Sequence, residues 1–480
     1  MNYKQSILSK IDANTEVVGI IGLGYVGLPL AVNFAEAGVK VIGFEKNPDK
    51  VDEINHGKNY IGDIRDAVLR EVVIDKLKLS ATNDFSLMAE CDALIIAVPT
   101  PLDRFKKPDM SYIESACTEI GRHMKPGTFI CLESTTYPTT TEDVMLPIIE
   151  ANLTHNPHFQ SVIPNEAQRS EGSPRTSSLQ NSPNNEHNAT NKQTAKSPLG
   201  DLGVWLAYSP ERVDPGNHTF HTRNTPKVLG AMSPEGLEIG MALYKKAIDT
   251  IHPVSSPRVA EMVKILENTY RLVNISLINE LALLAGKMDI NIWEVIEAAS
   301  SKPFGFQAFY PGPGIGGHCI PLDPFYLEHI AKQYNFDLSM IHAAGHINMR
   351  MPHYMYIKIA TALNRHQKAV NGSTVLFLGV AYKSDINDER ESPALEIMEI
   401  VAHKGGIVLY HDPHIPVVQT QCFASLDSIP LTADNLANAD VVVLTTNHTA
   451  FDVEFIQQHA RLIVDMRNMI KEASDKVYKL

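Results

Sequence analysis

The chain carries a glycine-rich motif, Gly22-Leu-Gly24-Tyr-Val-Gly27, between a β-branched run and an apolar helical pattern. The run Val17–Ile21 predicts a buried strand, and Val26–Ala37 predicts the helix after it. Gly22 permits a tight turn, Gly24 lets the backbone approach a pyrophosphate, and Gly27 lets the helix pack closely on the strand. The helix N-terminus adds N–H donors and a positive dipole end. The motif, including Tyr25 and Val26, therefore predicts a dinucleotide site.

A carboxylate follows the second predicted strand, Lys40–Phe44. Glu45 lies 18 residues after Gly27, where a carboxylate can accept hydrogen bonds from the adenosine ribose hydroxyls. It would repel a 2′-phosphate, which favours NAD over NADP, although Lys46 beside it acts in the opposite direction. The alternative is a glycine-rich turn that binds no nucleotide.

Strand and helix patterns alternate at both ends of the 480-residue chain. The N-terminal series continues with Ala93–Val98 and Thr128–Leu132, and the C-terminal third repeats it with Thr374–Leu378, Ala394–Ala402 and Ile407–Tyr410. We expect an α/β protein in which two Rossmann-like, doubly wound parallel sheets are joined by a central long-helix region. The expected domains are 1–230, 231–350 and 351–480.

Two stretches between these ends differ from them. Residues 155–203 are rich in Asn, Ser, Pro and Gln, a composition that predicts a disordered insertion. From Ser256 to about Ala299 the apolar spacing is helical, and it predicts one long helix that offers a dimer surface.

Composition excludes several classes of protein. The net charge is −13, from 42 basic and 55 acidic residues, so the chain lacks the basic surface of a nucleic-acid binder. The five cysteines are scattered without a CxxC pair, which indicates a reducing compartment and no structural zinc site. The N-terminus lacks a signal sequence, and the apolar runs are too short to span a membrane. We therefore expect a cytoplasmic protein.

The segment from Gly312 to Cys319 concentrates four glycines before a cysteine. Such a loop lets backbone and ligand come close to the thiol, which is a nucleophile if a cation lowers its pKa. The alternative is a cysteine that fills space, as we interpret Cys91 and Cys131.

Two polar groups have equally open interpretations. Lys264, Asn268 and Arg271 share one face of the predicted long helix, where they either stabilise an oxyanion or form a solvated stripe. The opposite face is apolar, with Val263, Leu266, Tyr270 and Val273. Near the C-terminal strand, Lys383 and Arg390 either hold a phosphate group or belong to a solvated charge cluster with Asp385 and Asp388.

Three further patterns carry little weight. The pair Tyr354 and Lys358 has ordinary helix spacing and lies far from the glycine motif. The pairs His342/His346 and His411/His414 lack the additional ligands of a metal motif. We therefore predict no metal site.

Seven motifs occur in one order along the chain: Gly22–Leu30, Val98–Pro101, Glu133–Thr135, Tyr208–Val213, Glu261–Arg271, Gly316–Cys319 and Arg390–Pro393. Together they resemble the UDP-glucose/GDP-mannose dehydrogenase family over the whole chain except residues 155–203. The resemblance implies an NAD-dependent, four-electron oxidation of a sugar C6 alcohol to a carboxylate. It also implies an NAD-binding first domain, a central dimerisation domain with the cysteine loop, and a UDP-sugar-binding last domain in a homodimer.

The resemblance implies roles for the catalytic residues. Cys319 would add to the aldehyde and carry a thiohemiacetal and then a thioester. Lys264 and Asn268 would stabilise the alkoxide, and Lys264 would also lower the pKa of the Cys319 thiol. Glu211 would act as the base or position the water for hydrolysis, Asp323 would orient water, and Thr135 would lie near that water.

The resemblance also implies binding residues. For NAD these are the residues of the glycine motif together with Glu45, Val98, Thr100, Pro101, Thr135 and Arg390. For the UDP-sugar they are Glu211, Lys264, Asn268, Tyr310, Gly314, Gly316 and Lys383.

Within the family, the segment Lys302–Gly314 most resembles bacterial UDP-N-acetylglucosamine 6-dehydrogenases of polysaccharide synthesis, such as those for O-antigen or capsule. UDP-glucose, UDP-N-acetylmannosamine and UDP-N-acetylgalactosamine remain open as substrates. Glu45 replaces the aspartate usual in the family, and no arginine precedes the glycine loop in Pro303–Phe306. Two competing hypotheses are a one-step hydroxyacid dehydrogenase and a catalytically silent NAD- or UDP-sugar-binding regulator.

Overall fold

A computed structural model describes residues 2–61, 64–101, 108–160, 198–214, 216–217, 219–317, 319–472 and 474–480. The chain divides into two compact units, Met1–Lys264 and Ile265–Leu480. Most of the predicted insertion 155–203 lies outside the described residues. Both ends of the insertion are described. The 3₁₀ turn Leu153–His155 ends at its first residue, and the short helix Pro198–Asp201 lies near its last.

The helices have the following bounds: α1 Tyr3–Ala13, α2 Gly27–Glu36, α3 Pro48–Asn55, α4 Asp66–Arg70, α5 Ser111–His123, α6 Leu146–Asn152, α7 Pro198–Asp201, α8 Pro234–Tyr244, α9 Pro257–Lys287, α10 Ile292–Ser300, α11 Asp323–Ala331, α12 Ser339–Arg365, α13 Pro393–His403, α14 Ala433–Asn438 and α15 Val453–His459. The strands are β1 Val17–Ile21, β2 Lys40–Phe44, β3 Leu79–Thr82, β4 Ala93–Ile96, β5 Phe129–Leu132, β6 Trp205–Tyr208, β7 Lys227–Ala231, β8 Ile251–Val254, β9 Thr374–Leu378, β10 Ile407–His411, β11 Val417–Val418, β12 Leu426–Asp427, β13 Val441–Leu444, β14 Ile463–Asp465 and β15 Val477–Lys479.

The first unit is built on a sheet that the described residues form in the order β3-β2-β1-β4-β5-β6-β7-β8. The strands from β3 to β6 are parallel, and only the pair β6–β7 is antiparallel. Side chains alternate between the two faces of the sheet. Ile95 packs into the core on one face, whereas Leu94 and Ile96 pack into the core on the other.

The second unit contains a parallel sheet in the order β10-β9-β13-β14-β15. Its central strands are also buried on both faces, with Val375 and Phe377 in one core and Leu376 and Leu378 in the other. Continuous apolar runs of this kind are typical of parallel strands covered by helices on both sides. The prediction of two doubly wound sheets is confirmed.

The prediction of a long helix is confirmed by α9, but the helical pattern does not continue unbroken to Ala299. The helix α9 ends at Lys287, and α10 begins at Ile292. Asp289 takes up a left-handed conformation with φ 59°, and the Ile290 N–H donates to the Ala285 carbonyl, which closes the helix end. Asn291 then caps α10 by accepting the Trp293 N–H.

Part of the apolar face predicted for α9 is exposed, and two residues of the predicted polar face are buried. Leu266 and Tyr270 are 60% and 46% exposed, whereas Lys264 and Asn268 are only 8% and 6% exposed. Arg271, expected on the same face as these two residues, is exposed. The buried side of α9 therefore holds Lys264 and Asn268, which have partners on distant parts of the chain, together with apolar residues such as Ile265 and Leu272.

Candidate active site

The first unit collects predicted site residues at one edge of its sheet. Gly22, Glu45, Val98, Thr135 and Glu211 follow the strands β1, β2, β4, β5 and β6. These strands are parallel neighbours, in the order β2-β1-β4-β5-β6, so their carboxyl ends meet at the same edge. Ligands of open α/β sheets bind in the crevice at this edge.

The glycine motif has the geometry that a pyrophosphate requires. Gly22 has φ 89°, and a Cβ on Gly27 would lie 1.9 Å from the Gly22 carbonyl oxygen. A Cβ on Gly24 would meet nothing within 4 Å, so this position is open to a ligand. Glu45 accepts the Leu23 N–H at 3.3 Å, which places its carboxylate beside the motif. These residues fit a bound NAD.

The strand ends beside the motif are linked by hydrogen bonds. The Ser134 hydroxyl donates to the Val98 carbonyl at 2.7 Å, so the segments after β4 and β5 are tied together. Thr100 is buried and Thr135 is half-buried. Tyr25 in the glycine motif is 55% exposed.

Glu261, which the sequence analysis did not single out, fastens the segment that follows Thr135. Its carboxylate accepts the Thr139 N–H at 2.7 Å, and the Thr141 N–H and hydroxyl at 2.9 and 2.7 Å. Burial raises the pKa of Glu261 to about 7, against the effect of these hydrogen bonds. A glutamate one turn before Lys264 in a helix was the available signal.

Glu211 and Lys264 are brought together in the first unit. The Lys264 ammonium donates to the Glu211 main-chain carbonyl at 2.7 Å. The Glu211 carboxylate accepts the N–H groups of Arg212 and Val213, both at 2.7 Å, through Oε1. The second carboxylate oxygen, Oε2, lies 3.9 Å from the Lys227 ammonium.

Asn268, Asp323 and Cys319 are brought together in the second unit. The Asn268 amide donates to Asp323 Oδ2 at 2.5 Å. Asp323 is the first residue of α11, is 1% exposed, and donates its N–H to the Cys319 carbonyl at 2.8 Å. This backbone turn sets the cysteine and the carboxylate one helical turn apart.

The five cysteines differ in exposure. Cys91, Cys117 and Cys131 are fully buried, and burial raises the pKa of each thiol, for Cys91 to about 12. Cys91 and Cys131 are therefore the inert core residues that we expected. Cys319 is only half-buried, as a nucleophile must be.

The glycine loop before Cys319 packs on the segment that carries Lys383. A Cβ on Gly316 would lie 2.7 Å from the Tyr382 side chain, and a Cβ on Gly314 would lie 3.0 Å from Pro393. The Gly317 N–H donates to the Arg390 carbonyl at 3.0 Å. Within the second unit, the predicted nucleotide-binding loop and the predicted phosphate-binding loop are therefore in contact.

Two other predicted residues of the second unit have partners of their own. Tyr310 is 58% exposed and stacks on Trp293, with 6.0 Å between the ring centroids. The Arg390 guanidinium pairs with the Asp388 carboxylate at 2.6 Å. Its role at the NAD pyrophosphate stays a prediction.

The sequence analysis missed a buried pair, Asp412 and His448. This pair holds the loop after β9 that carries Lys383, the Lys383 loop. The Asp412 carboxylate, directly after β10, accepts the N–H groups of Val380 and Ala381 at 2.7 and 3.1 Å. It lies 3.0 Å from Nε2 of His448, whose Nδ1 accepts the Asp385 N–H at 3.0 Å. Burial alone would raise the pKa of Asp412, but these hydrogen bonds lower it to about 2. An acidic residue after a strand, as at Glu45, was the available signal.

The same region contains the group of three potential metal ligands found among the described residues, Asp385, His414 and His448. His448 uses its ring nitrogens for the Asp385 N–H and for Asp412.

A groove of about 470 Å³ lies elsewhere in the second unit and includes none of the predicted catalytic residues. It is lined by Tyr270, Asn274, Leu277, Ile278, Gly305, Phe306, Gln307 and Phe309. Among the described residues, no helix combines the length and apolar character needed to cross a bilayer.

Sequence profiles of the UDP-glucose/GDP-mannose dehydrogenase family match three parts of the chain. The NAD-binding domain matches residues 16–248, the central domain residues 258–350, and the UDP-binding domain residues 376–472. The matches fall in both units described above.

Individual proteins are similar over nearly the whole chain. An NDP-N-acetyl-D-galactosaminuronic acid dehydrogenase of Ralstonia nicotianae is 31% identical over 96% of this chain and 97% of its own. A UDP-N-acetyl-D-glucosamine 6-dehydrogenase of Pseudomonas aeruginosa is 30% identical over 90% of this chain and 91% of its own length. The structure of a UDP-D-N-acetylmannosamine dehydrogenase from Pyrococcus horikoshii is 29% identical and superposes with a TM-score of 0.79 over 96% of this chain and 98% of its own.

The glycine motif and the strand-end carboxylate fit NAD, and the three domain profiles together match most of the chain. The chain therefore belongs to the UDP-glucose/GDP-mannose dehydrogenase family and is an NAD-dependent nucleotide-sugar dehydrogenase.

Proposed function

We propose that this protein oxidises the C6 hydroxymethyl group of UDP-N-acetylglucosamine to a carboxylate. The observation that carries the proposal is the cluster of Cys319, Asp323 and Asn268, in which one hydrogen bond and one backbone turn join three predicted catalytic residues. A one-step hydroxyacid dehydrogenase needs neither the cysteine nor a second nucleotide-binding sheet.

In the first oxidation the C6 alcohol loses a proton and a hydride and becomes an aldehyde. When bound, NAD supplies the hydride acceptor for both oxidations. Lys264 and Asn268 stabilise the negative charge that develops on the C6 oxygen, through an ammonium charge and an amide N–H. Both side chains are less than a tenth exposed, so little water competes with them.

In the second oxidation the Cys319 thiolate adds to the aldehyde carbon and forms a C–S bond. The resulting thiohemiacetal loses its hydroxyl proton and a hydride, which leaves a thioester on Cys319. Water then attacks the carbonyl carbon while Glu211 takes its proton, and the C–S bond breaks with its electron pair on sulfur. Asp323 orients this water, with Thr135 nearby. Two hydrides leave per sugar, and water supplies the second carboxylate oxygen.

The choice of sugar rests on sequence likeness. The segment Lys302–Gly314 resembles UDP-N-acetylglucosamine 6-dehydrogenases, and the Pseudomonas relative carries that name. The Ralstonia and Pyrococcus relatives are named for other N-acetylated sugars. Lys383 contacts the diphosphate of the substrate, and the backbone around Tyr310, Gly314 and Gly316 lines the nucleotide site.

The test is NADH formation by the purified protein with UDP-N-acetylglucosamine, UDP-glucose, UDP-N-acetylmannosamine and UDP-N-acetylgalactosamine. We expect the first to give the highest kcat/KM and two NADH per sugar. A ratio of one would mean that the reaction stops at the aldehyde. No NADH with any of the four would favour the silent regulator, and preference for another sugar would overturn the substrate assignment.

The same proposal predicts the behaviour of Cys319→Ser. The serine hydroxyl is too weak a nucleophile to form the covalent adduct, so overall turnover should be lost while NAD still binds, as measured by calorimetry. Turnover near that of the wild type would refute the thioester route.

We further propose that the protein is a homodimer. The outer face of α9 exposes Leu266, Tyr270, Leu277, Leu281 and Leu284, each by 41% to 60%. An apolar stripe of this length is typical of an interface, and a second copy offers the matching surface. Leu277→Glu should convert the dimer to a monomer in sedimentation equilibrium, and a wild-type monomer would contradict the proposal.

The assignment of domains and location also remains proposed. We assign NAD binding to residues 1–230, dimerisation and the cysteine loop to 231–350, and UDP-sugar binding to 351–480. A cytoplasmic location agrees with the five free thiols.

A further inference from the structure

Lys227 is a buried cation that the reaction scheme does not use. It begins β7, and its side chain is 5% exposed. Its ammonium lies 2.8 Å from Glu133 Oε2 and 3.9 Å from Glu211 Oε2. A buried charge is costly unless it is paired, so Lys227 needs these carboxylates.

Glu133 is held in place from its other side. It follows β5 directly, is fully buried, and accepts the Tyr244 hydroxyl on Oε1 at 2.5 Å. The Lys227 ammonium also lies 5.5 Å from the centre of the Tyr244 ring, within cation–π range. Glu133 and Tyr244 therefore fix the position of Lys227 and offset its charge.

Electrostatics supports a protonated Lys227. Burial raises the pKa of Glu133. Burial alone would lower the pKa of Lys227, but the carboxylates of Glu133 and Glu211 outweigh it and raise that pKa. Lys227 therefore stays protonated at neutral pH and presents a fixed positive charge to Glu211.

The two carboxylate oxygens of Glu211 have different surroundings, and only Oε2 faces the Lys227 ammonium. Oε1 is occupied by the main-chain N–H groups of Arg212 and Val213, and Oε2 is the oxygen nearest Lys227. At 3.9 Å the attraction is electrostatic rather than a hydrogen bond. It can therefore set the orientation of the carboxylate without blocking a water that approaches Oε2.

We propose that Lys227 is a positioning residue for the hydrolytic step and that it orients the Glu211 carboxylate. This inference rests on the proposed function, in which Glu211 takes the proton of the attacking water. Lys227 itself neither gains nor loses a proton in that step, and Glu133 with Tyr244 acts only by holding Lys227. Loss of the cation should slow thioester hydrolysis more than either oxidation.

The test compares Lys227→Met, Lys227→Arg and the double variant Lys227→Met/Glu133→Gln. Lys227→Met alone leaves Glu133 buried without a cation and can fail to fold. The double variant removes both charges and keeps an amide oxygen that can accept the Tyr244 hydroxyl. Lys245→Met, which removes an exposed lysine next to Tyr244, is the matched control.

We expect the double variant to release a rapid burst of two NADH per site, followed by steady-state turnover at least tenfold slower than that of the wild type. Intact-mass spectrometry should show a sugar adduct on Cys319 during turnover. Lys227→Arg should restore turnover, and Lys245→Met should behave as the wild type.

A folded double variant with no burst and no adduct would overturn the inference. Glu211→Gln separates this failure from a failure of the proposed function. If Glu211→Gln accumulates the adduct and the Lys227 variants do not, only the role of Lys227 is wrong. If Glu211→Gln does not accumulate it, the assignment of Glu211 as the base is wrong.

Discussion

Replacing Asp412 by asparagine tests how the loop that carries Lys383 is held. In the folded chain the pKa of Asp412 falls from 3.8 to about 2. At ~1.36 kcal/mol per pH unit, this difference favours the carboxylate over a neutral carboxyl by ~2.4 kcal/mol. Asparagine has the shape of the neutral form, so we expect Asp412→Asn to weaken the attachment of the loop by a similar amount. That is about a 50-fold increase in local opening.

The assay is hydrogen exchange at the amides of Val380 and Ala381, which donate to the Asp412 carboxylate. Their exchange should accelerate by about 50-fold in Asp412→Asn, and the KM for the UDP-sugar should rise while that for NAD stays constant. Asp427→Asn, at an exposed position in the same unit, should change neither quantity.

The contribution of Asp412 to the stability of the fold depends on pH in a defined direction. Because the pKa of Asp412 is lower in the folded state, its contribution to stability is present above about pH 4 and is lost as the pH falls through about 2. The difference in melting temperature between wild type and Asp412→Asn should therefore be constant from pH 5 to 8 and should shrink on acidification. Unchanged exchange, or a difference that grows towards acid pH, would refute the reasoning.

Three other substitutions probe the remaining parts of the site. Gly27→Ala places a Cβ 1.9 Å from the Gly22 carbonyl, so calorimetry should show NAD binding at least tenfold weaker; unchanged affinity would contradict the close packing. The pKa of Glu261, raised from 4.5 to about 7, implies a stabilisation of roughly 3 kcal/mol that is complete below pH 4.5 and lost as the pH rises through 7. Urea unfolding should show this dependence in the wild type but not in Glu261→Gln. Asn268→Ala removes the amide that contacts Asp323, so kcat should fall by about 10²–10³ with the NAD KM unchanged; an equal rise in that KM would argue against a role in the chemistry.

Local sequence was sufficient to predict the strands and the glycine-rich turn that is open to a phosphate group. The bounds of β1, β2 and β9 were predicted to the residue, because buried parallel strands are short apolar runs bounded by turn residues. The glycine motif was readable for a similar reason, since a positive φ at Gly22 and the close approach at Gly27 exclude side chains.

The faces of α9 show where local sequence was insufficient. Its apolar residues follow helical spacing, and this pattern suggests that they point inward. The structure instead buries Lys264 and Asn268, because their partners Glu211 and Asp323 lie 53 and 55 positions away. The spacing of residues within the helix carries no information about partners so far away in the chain. The pattern alone therefore could not distinguish a solvated polar stripe from a buried one.

Sequence by itself therefore determined the two nucleotide-binding sheets, the NAD motif and the family motifs, since each depends on residues close together in the chain. Tertiary structure alone decided which polar residues support them. Lys227 meets Glu133 across 94 positions, Tyr244 meets Glu133 across 111, and His448 meets Asp412 across 36. A buried charge is stable only with a partner in hydrogen-bond reach, and only the folded chain specifies that partner.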